Sequence, residues 1–162
     1  MTSPAFILND AERNIGIGNC AVLAYQAATD LPYATCLEFA KKELKYAPYK
    51  GTPAYALVNP NNMNANGYSC DIKSGFDHKT CKRPTLAAWV DAHPQGRYMI
   101  LVDRHAVCVK DGQLIDNGYR IDRKDKKNFQ GRRRVNYIIK LTPNRPEPTR
   151  SNQPGTQMTL DF

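Results

Sequence analysis

The stretch from Arg97 to Asn117 limits the possible folds more than any other part of this chain. Tyr98, Ile100 and Val102 form one period-2 set, and Met99 and Leu101 form the opposite one. That pattern predicts a strand buried on both faces, near the middle of a sheet. A break at Asp103-Arg104 precedes a second strand, which starts at His105 and alternates through Val107 and Val109. Asp111-Gly112 then supplies two positions tolerant of positive φ, as a tight hairpin needs, and a third short strand ends in Asp116-Asn117.

The hairpin register decides what His105 meets. With a two-residue turn at Asp111-Gly112, Lys110 pairs with Gln113 and Val107 with Asp116, so Asp116 lies on the face of His105 and diagonal to it. With a three-residue loop and a bulge, the pairing moves by one and Asn117 takes that place. In both registers an acid or amide sits one strand over from a strand-initial histidine, able to orient its ring.

Upstream of this block the pattern changes to helical. Cys20 to Thr29 is rich in good helix formers, with Val22, Leu23, Gln26 and Ala27 at helical spacing. Asp30-Leu31-Pro32 reads as a cap and an early proline opening a second amphipathic helix over Tyr33 to Leu44, and Thr85 to Ala92 forms a third with Leu86, Trp89 and Val90 inward. Residues 45 to 83 carry few regular signals and read as a long loop, while Val135 to Leu141 returns as a strand. The expected class is α+β, with N-terminal helices packed on an antiparallel sheet meander. One domain over 1–141 suits the 162-residue length, and the proline-punctuated segment 142–162 reads as an extended tail.

A sheet-borne histidine with an orienting group needs a nucleophile. Cys20 opens the first helix directly after Gly16-Ile17-Gly18-Asn19, where unpaired N–H groups and the helix dipole stabilise a thiolate. Its own N–H is one candidate oxyanion donor, and Asn14 or Asn19 is a candidate for the second.

These residues carry a resemblance. Gly18-Asn19-Cys20-Ala21-Val22, Gly51-Thr52-Pro53, Pro84-Thr85-Leu86 and the run from His105 to Asp116 resemble the papain-like cysteine peptidase superfamily, in the compact form of bacteriocin-processing peptidases and small phage proteins. The resemblance implies a thiol hydrolase (peptidase, isopeptidase or deamidase) acting on a protein or peptide. It implies Cys20 as nucleophile, His105 as proton shuttle and Asp116 as orienter, with Asn14 standing where the superfamily has an oxyanion Gln. It requires no cofactor.

Other features suggest partners. Arg123-Lys124-Asp125-Lys126-Lys127 and Arg132-Arg133-Arg134, with Tyr119, Phe129 and Tyr137 nearby, make 123–134 a candidate nucleic-acid contact, in keeping with the net charge of +8. The C-terminal Gln157-Met158-Thr159-Leu160-Asp161-Phe162 looks like the clamp-binding peptides of bacterial replication proteins, with Gln157, Leu160 and Phe162 as anchors on a DNA sliding clamp. A non-catalytic phage or mobile-element protein that binds such a component is the competing expectation. Cys70, His78 and Cys81 match no zinc module, so no metal is expected. Five cysteines without framework spacing, no basic and apolar leader, and no membrane-length apolar run predict a cytoplasmic protein with free thiols.

Overall fold

The computed structural model describes residues 18–73 and 83–145. Its helices pack on a six-stranded sheet whose strand pairings are all antiparallel, an α+β architecture.

Helix α1 (Cys20–Thr29) is buried over every residue from Ala21 to Thr29. A helix with so many alanines and no charge can approach both the sheet and the next helix closely, and its lack of a polar face leaves it no solvent-facing role. It ends at Asp30, whose φ of 60° gives a left-handed cap. Asp30 therefore closes α1 and does not open α2 (Tyr33–Glu43), whose N-cap position is Pro32. The Asp30 carboxylate turns to the sheet, where it meets the Arg97 guanidinium at 2.9 Å and Lys110 Nζ at 2.5 Å. Arg97 also donates to the Ala28 carbonyl at 2.9 Å, so a buried cation satisfies the C-terminal end of α1.

Residues 45 to 73 are more regular than their sequence suggests. They hold two one-turn helices, α3 (Ala54–Leu57) and α4 (Pro60–Met63), and an edge strand β1 (Tyr68–Lys73). The strand's alternation is visible in retrospect, with Tyr68, Cys70 and Ile72 half-buried and Ser69, Asp71 and Lys73 exposed. Helix α5 (Leu86–Ala92) follows, capped by the Thr85 hydroxyl, which accepts from Ala88 N–H.

Strands β2 (Arg97–Val102), β3 (His105–Lys110), β4 (Gln113–Asp116) and β5 (Tyr119–Ile121) form the meander. A short helix α6 (Lys126–Phe129) leads to β6 (Tyr137–Pro143), which does not extend the meander's far edge but inserts between β1 and β2. Because β6 runs to Pro143 and Asn144 N–H bonds the Gly67 carbonyl, regular structure passes the expected boundary at 141.

Strand β2 is buried on both faces as its sequence requires. Met99 and Leu101 join the core under α1 and α2, and Tyr98, Ile100 and Val102 join a second core under α5, closed by Phe129 and Val135. Burying apolar area on two faces at about 25 cal/mol per Å² makes β2 and β3 the rigid centre of the molecule, and His105 stands at the edge of that centre.

Candidate active site

Cys20 owes its position to two glycines. Gly18 (φ 92°) and Gly51 (φ 75°) lie backbone against backbone, so close that a Cβ on Gly51 would come within 2.9 Å of the Gly18 carbonyl oxygen. Side chains on either residue would push apart the approach to α1 and the turn at Ala47–Gly51. This contact brings Lys50 and Thr52 beside the thiol.

The β3–β4 register is the two-residue one. Lys110 pairs with Gln113, Val109 with Leu114 and Cys108 with Ile115, around Asp111 (φ 49°) and Gly112 (φ 76°). Asp116 therefore falls on the His105 face. His105 Nε2 and Asp116 Oδ1 are 2.6 Å apart, with both side chains largely buried. Asn117 is used differently: with Gly118 it makes the next tight turn, at φ 49° and 81°, which leads into β5. The Asn-Gly pair is a strong hairpin signal, and it is the reason Asn117 is unavailable to the histidine.

With Nε2 turned to Asp116, Nδ1 is left for the sulfur, and the Cys20 thiol hydrogen-bonds the His105 ring. Burial pushes the thiol pKa up, but the His105 hydrogen bond, the Ala106 N–H, the imidazolium charge and the Ala21 N–H together outweigh it and bring Cys20 below its ordinary value. His105 is raised to about 9, first by the Asp116 carboxylate and then by Cys20, against a smaller opposing effect of burial. Both shifts move the pair toward a thiolate beside an imidazolium. The other described thiols behave oppositely. Burial lifts Cys36 and Cys108 to about 12 and also raises Cys70.

One supporting residue was not anticipated. Arg133 Nη1 lies 3.7 Å from Asp116 Oδ2, the carboxylate oxygen that His105 does not use. Its guanidinium is itself fixed by the carbonyls of Gln130 (3.2 Å) and Phe129 (3.0 Å). In sequence Arg133 is one of three adjacent arginines, with nothing to mark it as the one that turns inward. Its neighbours are engaged too. Arg134 donates to the Arg83 carbonyl, and Arg123 makes a two-point contact with Asp91 while lying over the Phe129 ring.

Beside the thiol is a cleft of about 380 Å³. Leu57, Leu101 and Tyr137 give it apolar walls, and Lys50, Thr52 and Arg104 add polar groups. Thr52 Oγ1 is buried without a hydrogen-bond partner among the described residues. At the oxyanion position, the Asn19 amide donates to Tyr33 Oη at 3.4 Å within the core, while Asn14 lies outside the described residues. So do Gln157, Leu160 and Phe162, and so do His78 and Cys81. Cys70 is on β1, its Sγ 3.8 Å from the Pro60 carbonyl oxygen, and no cluster of three metal-ligating side chains occurs among the described residues. No described helix is long and apolar enough to cross a membrane.

No protein-family model matches this chain, and no curated protein or solved structure does so either.

Proposed function

We propose that this chain is a cysteine-dependent hydrolase of the papain-like kind, cleaving a peptide, isopeptide or side-chain amide. The observation that carries the reading is the continuous contact Cys20–His105–Asp116, in which the sulfur meets one ring nitrogen and a carboxylate holds the other at 2.6 Å. A nucleophile, a proton carrier and an orienter in that order are what acyl transfer to a thiol needs.

In the first half-reaction the Cys20 thiolate attacks the amide carbon, and the oxyanion is met by the Cys20 N–H at the start of α1. The His105 imidazolium gives its proton to the leaving nitrogen as the C–N bond breaks, leaving a thioester. Water then attacks the thioester carbon and passes a proton to neutral His105. The C–S bond breaks, the acid leaves, and the thiolate–imidazolium pair returns. Asp116 keeps the ring aligned through both transfers.

The test is product formation from a proteome-derived peptide mixture, read by mass spectrometry as new termini and deamidated side chains. The wild type is expected to give products that Cys20→Ala and His105→Ala do not. Identical product sets from the wild type and Cys20→Ala would overturn the reading.

A second reading, docking on nucleic acid through 123–134, has one observation in its favour. Lys124, Lys126, Lys127 and Arg132 are exposed and lack a carboxylate partner within 4.0 Å among the described residues. Binding of this kind would weaken steeply with added salt.

A further inference from the structure

We propose that the cleft beside Cys20 selects substrates that carry a carboxylate next to the scissile amide. The inference rests on the hydrolase reading for the word substrate, and on the charges lining the cleft for the choice of anion.

Lys50 and Arg104 reach the cleft from separate turns. Lys50 follows Tyr49 (φ 66°) in the Ala47–Gly51 turn that the Gly18 contact holds in place, and Arg104 (φ 52°) forms the β2–β3 turn directly before His105. Both side chains are exposed, and both line the same cleft as the thiol. Cations unpaired among the described residues are common on this surface, Lys124 and Arg132 among them, but Lys50 and Arg104 are the two that line the cleft of the thiol. Lys42, Arg97, Lys110, Arg123 and Arg133 each have a carboxylate oxygen within 4.0 Å. Neither Lys50 nor Arg104 has one among the described residues, and no Asp or Glu lines the cleft.

Two cations that reach the same space from separate turns supply the field for a carboxylate. The cleft volume of about 380 Å³ accepts a residue of glutamate size with its flanking backbone. An acidic side chain and a free C-terminal carboxylate share this chemistry.

The experiment compares alkylation of Cys20 by iodoacetate and by iodoacetamide at an ionic strength of about 10 mM, where charge effects are little screened. The proteins are the wild type, Lys50→Gln, Arg104→Gln and the double variant, all at exposed positions. The imidazolium of His105 favours the anionic reagent equally in all four, so only the change in ratio counts. The iodoacetate-to-iodoacetamide ratio should fall about threefold or more in the double variant. An unchanged ratio overturns the proposal.

A second arm measures protection of Cys20 from iodoacetamide by N-acetylglutamate amide, N-acetylglutamine amide and N-acetylglutamine with a free carboxylate. Protection by the first alone assigns the anion to a side chain, and protection by the third alone assigns it to a chain terminus. Equal protection by all three, or by none, overturns the proposal. A charge-dependent ratio at a thiol that reacts no faster than an ordinary cysteine would keep the anionic preference and remove the hydrolase reading, so the two failures are distinguishable.

Discussion

Gly51 sits against Gly18 so closely that a single added carbon would lie 2.9 Å from the Gly18 carbonyl oxygen. The consequence is testable by comparison with Gly67, which has a similar φ of 81° but open space around its missing Cβ. Gly67→Ala should lose about 1 kcal/mol, the cost of a left-handed backbone alone. Gly51→Ala should lose about 2 kcal/mol or more, and should slow alkylation of Cys20, because the turn and the approach to α1 must separate. Urea denaturation checks this, and equal losses would mean that the contact has no structural role.

Asp116 and Asn117 are adjacent and chemically similar, yet they have different roles. Asp116→Asn removes the largest cause of the raised His105 pKa, so the imidazole should titrate well below about 9 and the alkaline limb of activity should move down with it. Asn117→Ala should leave that titration alone and cost about 1 kcal/mol at its turn. NMR titration of the His105 ring separates the two variants.

Arg133 is a positioning residue rather than a catalytic one. Removing it frees the second carboxylate oxygen of Asp116 and takes the side-chain donor from the Phe129 carbonyl, while the Gln130 carbonyl keeps the backbone N–H of residue 133. Arg133→Gln should lower kcat about three- to tenfold with KM little changed, in line with the modest worth of a partly exposed ion pair. Arg132→Gln, at an exposed neighbour, serves as the control and should change neither.

Proton linkage gives a prediction that is independent of any substrate. His105 titrates at about 9 when folded against an ordinary 6.5, so the stability it contributes is complete below about pH 6.5 and is lost as pH rises toward 9. Cys20 has the opposite sign: its folded value lies below its ordinary 9.0, so it adds stability as pH rises up to that value. In the wild type the two trends oppose each other. Cys20→Ala leaves the Asp116 contribution to His105 uncompensated, so the variant's stability should fall more steeply with rising pH across this window than the wild type's. Urea midpoints at several pH values measure it, and parallel trends would contradict the pairing.

Much of this arrangement is legible in the sequence, because it depends on local patterns. Alternation in β2 fixes which side chains enter which core, and Asp111-Gly112 marks a hairpin that narrows the partner of His105 to Asp116 or Asn117, a choice that only the observed register makes. The helix beginning at Cys20 is equally plain, being a run of helix formers directly after the Gly18-Asn19 pair. The parts that were missed depend on tertiary context. Strand β1 is an edge element whose short alternation is lost among asparagines and glycines. Strand β5 has only three residues, so its one signal is the Asn117-Gly118 turn. The place of β6 between β1 and β2 follows from pairing over long sequence separations, which no local pattern encodes. Arg133 differs from Arg132 and Arg134 only in which way the backbone turns it.

The most direct test of the central pairing is the pH dependence of Cys20 alkylation by iodoacetamide, from about pH 4 to about pH 10, mapped by peptide mass spectrometry. The wild type should label at Cys20 ahead of Cys36, Cys70 and Cys108, with a midpoint clearly below that of an ordinary thiol. His105→Ala should move that midpoint upward. A Cys20 profile that matches an ordinary thiol, or one that His105→Ala leaves unchanged, would contradict a thiolate held by His105.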